Sequence, residues 1–139
     1  MRKVSIYMVV IMECILLCTL NACNINQKKY YSNRENYINV SGIIEHIEYN
    51  QDSSALYIGF SDLSPTLDDT TLKLVGENLK IAQANGIDSK LQIGDRVTFI
   101  TAPKYFGDGY VMPIASITVD GEVLLEFEEG YANLQDIYS

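Results

Sequence analysis

The chain has 139 residues, 47% of them hydrophobic, with 18 Asp and Glu against 10 Lys and Arg and one His, for a formal net charge of −8. That length suits one domain with a modest core. From Ile38 onward the balance sharpens to five basic against sixteen acidic residues, which argues against a polyanion partner such as nucleic acid, because such binding rests on clustered Lys and Arg.

Arg2 and Lys3 open the chain, followed by "VSIYMVVIMECILLCTL" (Val4 to Leu20), apolar except for Ser5, Glu13 and Thr19, and then by small residues. Basic, apolar and small in that order is the layout of a secretory signal. A membrane span wants about 20 apolar residues, and an ionised Glu near its centre costs on the order of 2.5–3.5 kcal/mol. Glu13 in so short a run therefore argues against permanent spanning. The run closes on Leu20-Asn21-Ala22-Cys23, "LNAC", which resembles the bacterial lipobox. The resemblance covers residues 1 to 23 and implies a lipoprotein: a signal peptide over 1–22, a diacylglyceryl group on the thiol of Cys23, acylation of the new amino end, and a place on the extracytoplasmic face of the cell membrane. Asn21 departs from the Ser, Ala or Thr more usual there, and an uncleaved anchor with a chance cysteine is the alternative. Cys14 and Cys18 lie inside the apolar run and leave with it, so the mature chain keeps no thiol for a disulfide or a Cys-based metal site. A diacylglyceryl group supplies the two acyl chains that stable anchoring takes.

Residues 23–37, with "NINQKKYYSNRENY" from Asn24 to Tyr37, are polar and read as a disordered, flexible tether. Lys28, Lys29 and Arg34 stand at its membrane end, where each cation near an anionic surface contributes about 1 kcal/mol. A domain over 38–139 follows. "INVSGIIEHIEYN" changes its alternation midway, which predicts a bulged or bent first strand with Gly42 at the bend. "ALYIGF" alternates as a half-buried second strand, and "TTLKLVG" gives a third with Leu72 and Leu74 on one face. "NLKIAQANG" shifts to helical spacing, with Asn78 as a cap and Gly86 as a stop. A fourth strand over "RVTFITAP", a loop "KYFGDG", a fifth over "YVMPIASITV" and an Asp120-Gly121 hairpin into "EVLLEFEEG" complete the order.

Five or six strands, the first long and bent, and one short helix between the third and fourth resemble the OB-fold, a small partly open β-barrel. "LQIGDRVTFI" looks like the lead-in to the fourth strand of many OB domains, with Gly94 and Asp95 as its turn. The fold expected is thus mainly β: a small five- to six-stranded OB-like barrel preceded by a cleaved signal helix and the tether. The chain also resembles small lipoproteins of low-GC Gram-positive bacteria through "PKYFGDGYVMPIASI" (Pro103 to Ile117), a resemblance that implies no particular activity.

Few residues assemble into reactive chemistry. His46, beside Glu45 and Glu48, is a rim histidine or a general base without a visible nucleophile. Asp62, Asp68, Asp69 and Asp108 offer oxygen ligands for Ca²⁺ but match no EF-hand, and turn-capping explains them as well. Glu126, Glu128 and Glu129 read as a solvated acidic strip on the last strand. The chain carries ten tyrosines and no tryptophan, and "KYFGDGY" gathers Tyr105, Phe106 and Tyr110 around Gly-Asp-Gly. With Tyr57 of the second strand these are the candidate ligand-binding residues, since aromatic side chains on such a loop stack on sugars or peptides; packing at the barrel end is the alternative use. No catalytic residue, metal or cofactor is assigned. The expectation is a non-enzymatic binding module, anchored through Cys23, whose partner is an envelope protein or a small ligand. The alternatives are an envelope hydrolase or metal-dependent enzyme and a purely structural envelope component.

Overall fold

The computed structural model of the protein describes residues 25–104 and 111–138. The described residues include six strands: β1 (Ile38–Asn50), β2 (Ala55–Ser64), β3 (Thr71–Val75), β4 (Arg96–Thr101), β5 (Met112–Val119) and β6 (Glu122–Leu125). They form one mainly antiparallel sheet in the order β3-β2-β1-β4-β5-β6. β3 also pairs in parallel with β5, Leu72 opposite Met112 and Lys73 opposite Pro113, so the pairings run in a ring through β1, β2, β3, β5 and β4 while β6 hangs on β5.

β1 is long because it serves two partners. Its first half pairs with β4, Ile38 opposite Thr101 through Ile43 opposite Arg96, and its second half pairs with β2. The register against β2 slips between Ser41 and Ile43 and again between Ile44 and His46, the bend that the phase change in the sequence announces. A Cβ on Gly42 would stand 2.8 Å from Leu63 Cδ2 and 3.2 Å from Phe60 Cδ1, so a larger residue at the bend would have to displace those side chains. The Gly94-Asp95 turn docks on the same bend: Gly94 N donates to Ile44 O (2.7 Å) and Ile44 N to Asp95 O (2.9 Å). The hairpin at Asp120 and Gly121 takes positive φ at both residues, 51° and 79°, as a two-residue primed turn requires.

Inward-facing residues of the alternating strands make the core, with Ile58, Leu72, Leu74 and Ile117 fully buried and Phe60 stacked on Phe99 at 4.7 Å. β5 is buried along almost its whole length on both faces. One face looks into the core and the other is covered by a helix, α4 (Phe127–Ile137). Between β3 and β4 lie α2 (Gly76–Ala84) and the single turn α3 (Ile87–Lys90), separated by Gly86 in the left-handed region.

Three expectations give way here. Asn78 is not a cap: it lies within α2, fully buried, where its Nδ2 donates to Gly130 O (3.1 Å) and its Oδ1 accepts from Asn133 Nδ2 (2.9 Å), joining α2 to α4. The last strand ends at Leu125 rather than running on, and the three glutamates belong to the start of α4, with Glu126 at its N-cap position and Glu128 and Glu129 in its first turn. Acidic side chains are favoured there by the helix dipole, and Phe127, Tyr131 and Leu134 recur at helical spacing. The disordered tether fails over 25–37: residues 25–32 are helical (α1) and a 3-10 turn follows at Arg34–Asn36. The reason is Tyr31, which is fully buried against α4. Among the described residues no helix is long and apolar enough to cross a membrane.

Candidate functional site

Cys23, Tyr105, Phe106, Asp108 and Tyr110 lie outside the described residues. Tyr57, the remaining candidate, is half-buried on the outer face of β2, the face opposite Leu56, Ile58 and Phe60. Register places Glu48 of β1 on one side of it and Lys73 of β3 on the other. The parallel pairing then sets Lys73 beside Pro113 of β5. A row Glu48–Tyr57–Lys73 therefore crosses three strands and ends next to β5, the strand that follows residues 105–110 in the sequence. Burial pushes the Lys73 amine below its usual range, and Tyr57 and Lys73 are half-buried while Glu48 at the other end is exposed.

The reactive groups proposed from sequence are dispersed. His46 is exposed at the rim, 3.3 Å from Glu48 Oε2. Asp62 pairs with Arg96, and Asp69 Oδ1 accepts from Thr71 N at 3.0 Å to start β3. Among the described residues no group of three or more His, Cys, Asp or Glu side chains is placed to hold a metal ion.

Sequence reasoning missed a second feature, the clamp between the amino-terminal stem and α4. Tyr31 stacks on Tyr138 with centroids 4.4 Å apart, and Tyr37 meets both Phe127 and Tyr131 edge-on at 5.5 and 5.4 Å. The Tyr31 carbonyl accepts from Tyr37 Oη (2.9 Å) and Gln135 Nε2 (2.8 Å), and Tyr131 Oη donates to Ser32 O (2.6 Å). Arg34 lies over the Tyr131 ring at 4.8 Å and pairs with Glu128. The signal was present: three tyrosines in fourteen residues is a composition for packing rather than for a linker.

Burial raises the phenols of Tyr31 and Tyr37 well above the ordinary tyrosine range and pushes Tyr138 up to about 12. Unfolded tyrosines ionise near pH 10. Above that pH the unfolded chain releases protons that the folded chain keeps, so the stability these groups contribute is complete below about pH 10 and falls as pH rises through their folded values. Lys73 works in the opposite sense but is a single group. A melting temperature that declines steeply above about pH 10, with tyrosinate absorbance lagging until the clamp opens, is the expected result. Tyrosines that all ionise near pH 10 while the melting temperature stays level would contradict it.

Compared with protein-family models, with curated proteins and with solved structures, the chain matches none.

Proposed function

We propose that the chain is a lipid-anchored, extracytoplasmic and non-enzymatic module whose OB-like barrel holds an envelope protein or small-ligand partner at the outer face of a bacterial membrane. The observation that carries the reading is "LNAC" at Leu20 to Cys23 behind a short apolar run, which makes Cys23 the lipidated first residue of the mature protein. The barrel reading is supported by the ring of pairings through β1, β2, β3, β5 and β4 with α2 between β3 and β4, the strand order of OB domains. In that fold the face of the second and third strands and the loop between the fourth and fifth are the usual binding surface. Tyr57 and Lys73 occupy that face here, and Tyr105, Phe106 and Tyr110 belong to that loop by sequence. The partner is not a polyanion, since the domain carries sixteen acidic against five basic residues.

The test is recovery of a partner from crosslinked envelopes with the full chain as bait, compared with Tyr57→Ala, Tyr105→Ala and Tyr110→Ala. If these tyrosines are anchors, each variant should lose about tenfold or more in recovery, since interface hot spots cost about 2 kcal/mol or more on truncation, while the melting temperature changes little. Unchanged recovery with a large fall in melting temperature would return these tyrosines to the core and remove the site.

A further inference from the structure

We propose that the cleft between α1 and the end of β4 binds the phosphate-bearing headgroup of an anionic membrane lipid. The cleft has a volume of about 370 Å³ and is lined by Asn26, Lys29, Tyr30, Asn33, Asn36 and Lys104, within the size range of small-molecule clefts. Two ammonium groups and three carboxamides face one space, and none of the described lining residues is a carboxylate. In a chain with 18 acidic and 10 basic residues that is a local reversal of charge. Ammonium and amide N–H groups together are the donors that an oxyanion takes.

The walls are positioned by the turn that ends α1. The Tyr30 carbonyl accepts from Asn33 N (3.3 Å) and from Asn36 Nδ2 (2.8 Å), which folds both asparagines back onto the helix. Asn33 Oδ1 accepts from Glu35 N (3.1 Å), so its amide NH2 is the donor it can offer to the cleft. Lys104 Nζ stands 5.3 Å from the Tyr30 ring centre, a cation–π contact that holds the ammonium at the cleft wall. Arg34 belongs to the clamp through Glu128 and takes no part.

The choice of a lipid over a soluble phosphate rests on the reading of Cys23 as the anchor. Ile25, the first described residue of α1, lies two positions after Cys23, a reach of about 7 Å at most. Because the stem is docked on α4 rather than hanging loose, an anchor at Cys23 would keep the cleft close to the membrane surface.

The experiment uses the full ¹⁵N-labelled chain in non-ionic detergent micelles, titrated with phosphatidylglycerol, phosphatidylcholine or free glycerol 1-phosphate and read at the side-chain amides of Asn26, Asn33 and Asn36. Phosphatidylglycerol should give saturable shifts, phosphatidylcholine none, and glycerol phosphate a response at least tenfold weaker. Lys29→Glu and Lys104→Glu, both at exposed positions, should each raise the half-saturating lipid fraction at least tenfold. No saturable shift with phosphatidylglycerol, an equal shift with phosphatidylcholine, an equal affinity for glycerol phosphate, or indifference to both charge reversals would each overturn the proposal. Mass spectrometry of the same sample separates the two readings. A negative titration with a lipidated Cys23 removes the cleft and keeps the anchor, and a positive one with an unmodified Cys23 does the reverse.

Discussion

Gly130→Ala is expected to destabilise the protein by about 3 kcal/mol, the upper end of what overpacking costs. Gly130 lies in α4 where the helix crosses β5, and a Cβ there would sit 1.8 Å from Ala115 O and 2.7 Å from Ala115 C. Both atoms are backbone of a strand buried on both faces, so no side chain can swing aside. The helix must lift instead. Lifting it also draws the Gly130 carbonyl from the buried Asn78 amide and Asn133 from Asn78 Oδ1, which strands polar groups between α2 and α4. Thermal melting of the variant should fall by on the order of 10 °C. A melting temperature within about 2 °C of the parent would mean that α4 does not sit on β5 this closely.

Tyr31→Ala is the second large effect, and it is local. Truncating a fully buried aromatic ring costs about 3 kcal/mol, and here the loss removes the stacking on Tyr138 and the anchor of the stem. The core of the sheet does not depend on Tyr31, so the cost should appear as undocking of residues 25–37 rather than as global unfolding. Lys28, Lys29 and Arg34 make that readable by trypsin. Cleavage at these sites should accelerate on the order of a hundredfold, the factor that about 3 kcal/mol represents, while the sheet resists. Equal cleavage rates in the two proteins would show that the stem is not held by the clamp.

The parts of this fold that were legible in the sequence are those whose partners are near in the chain. Alternation in Leu56, Ile58 and Phe60 and in Leu72 and Leu74 marks the buried face of two strands, and Asp120-Gly121 marks their kind of hairpin further on. Gly86 marks the end of α2 by its left-handed backbone. The same alternation misled at the carboxyl end, where Val123, Leu125 and Phe127 continue a strand pattern until burial against β5 and the spacing of Phe127, Tyr131 and Leu134 turn the chain into a helix. The stem was illegible for a related reason. Its stabilising contacts reach Tyr131 and Gln135, 99 and 104 residues away from Ser32 and Tyr31, so local polarity had no way to report them. Of the candidate site, alternation placed Tyr57 on the outer face, but the Glu48–Tyr57–Lys73 row needs the register of three strands and is visible only in the folded chain.

The proposed lipid anchor at Cys23 is the central claim, because it would fix where the domain works and why a docked stem matters. The most direct measurement is mass spectrometry of the amino-terminal peptide of the protein extracted from its native membrane fraction. The expected result is a peptide beginning at Cys23 with a diacylglyceryl group on its thiol, and a Cys23→Ala variant that stays as unprocessed precursor or leaves the membrane. A mature chain that retains Met1 to Ala22 with an unmodified Cys23 would contradict it.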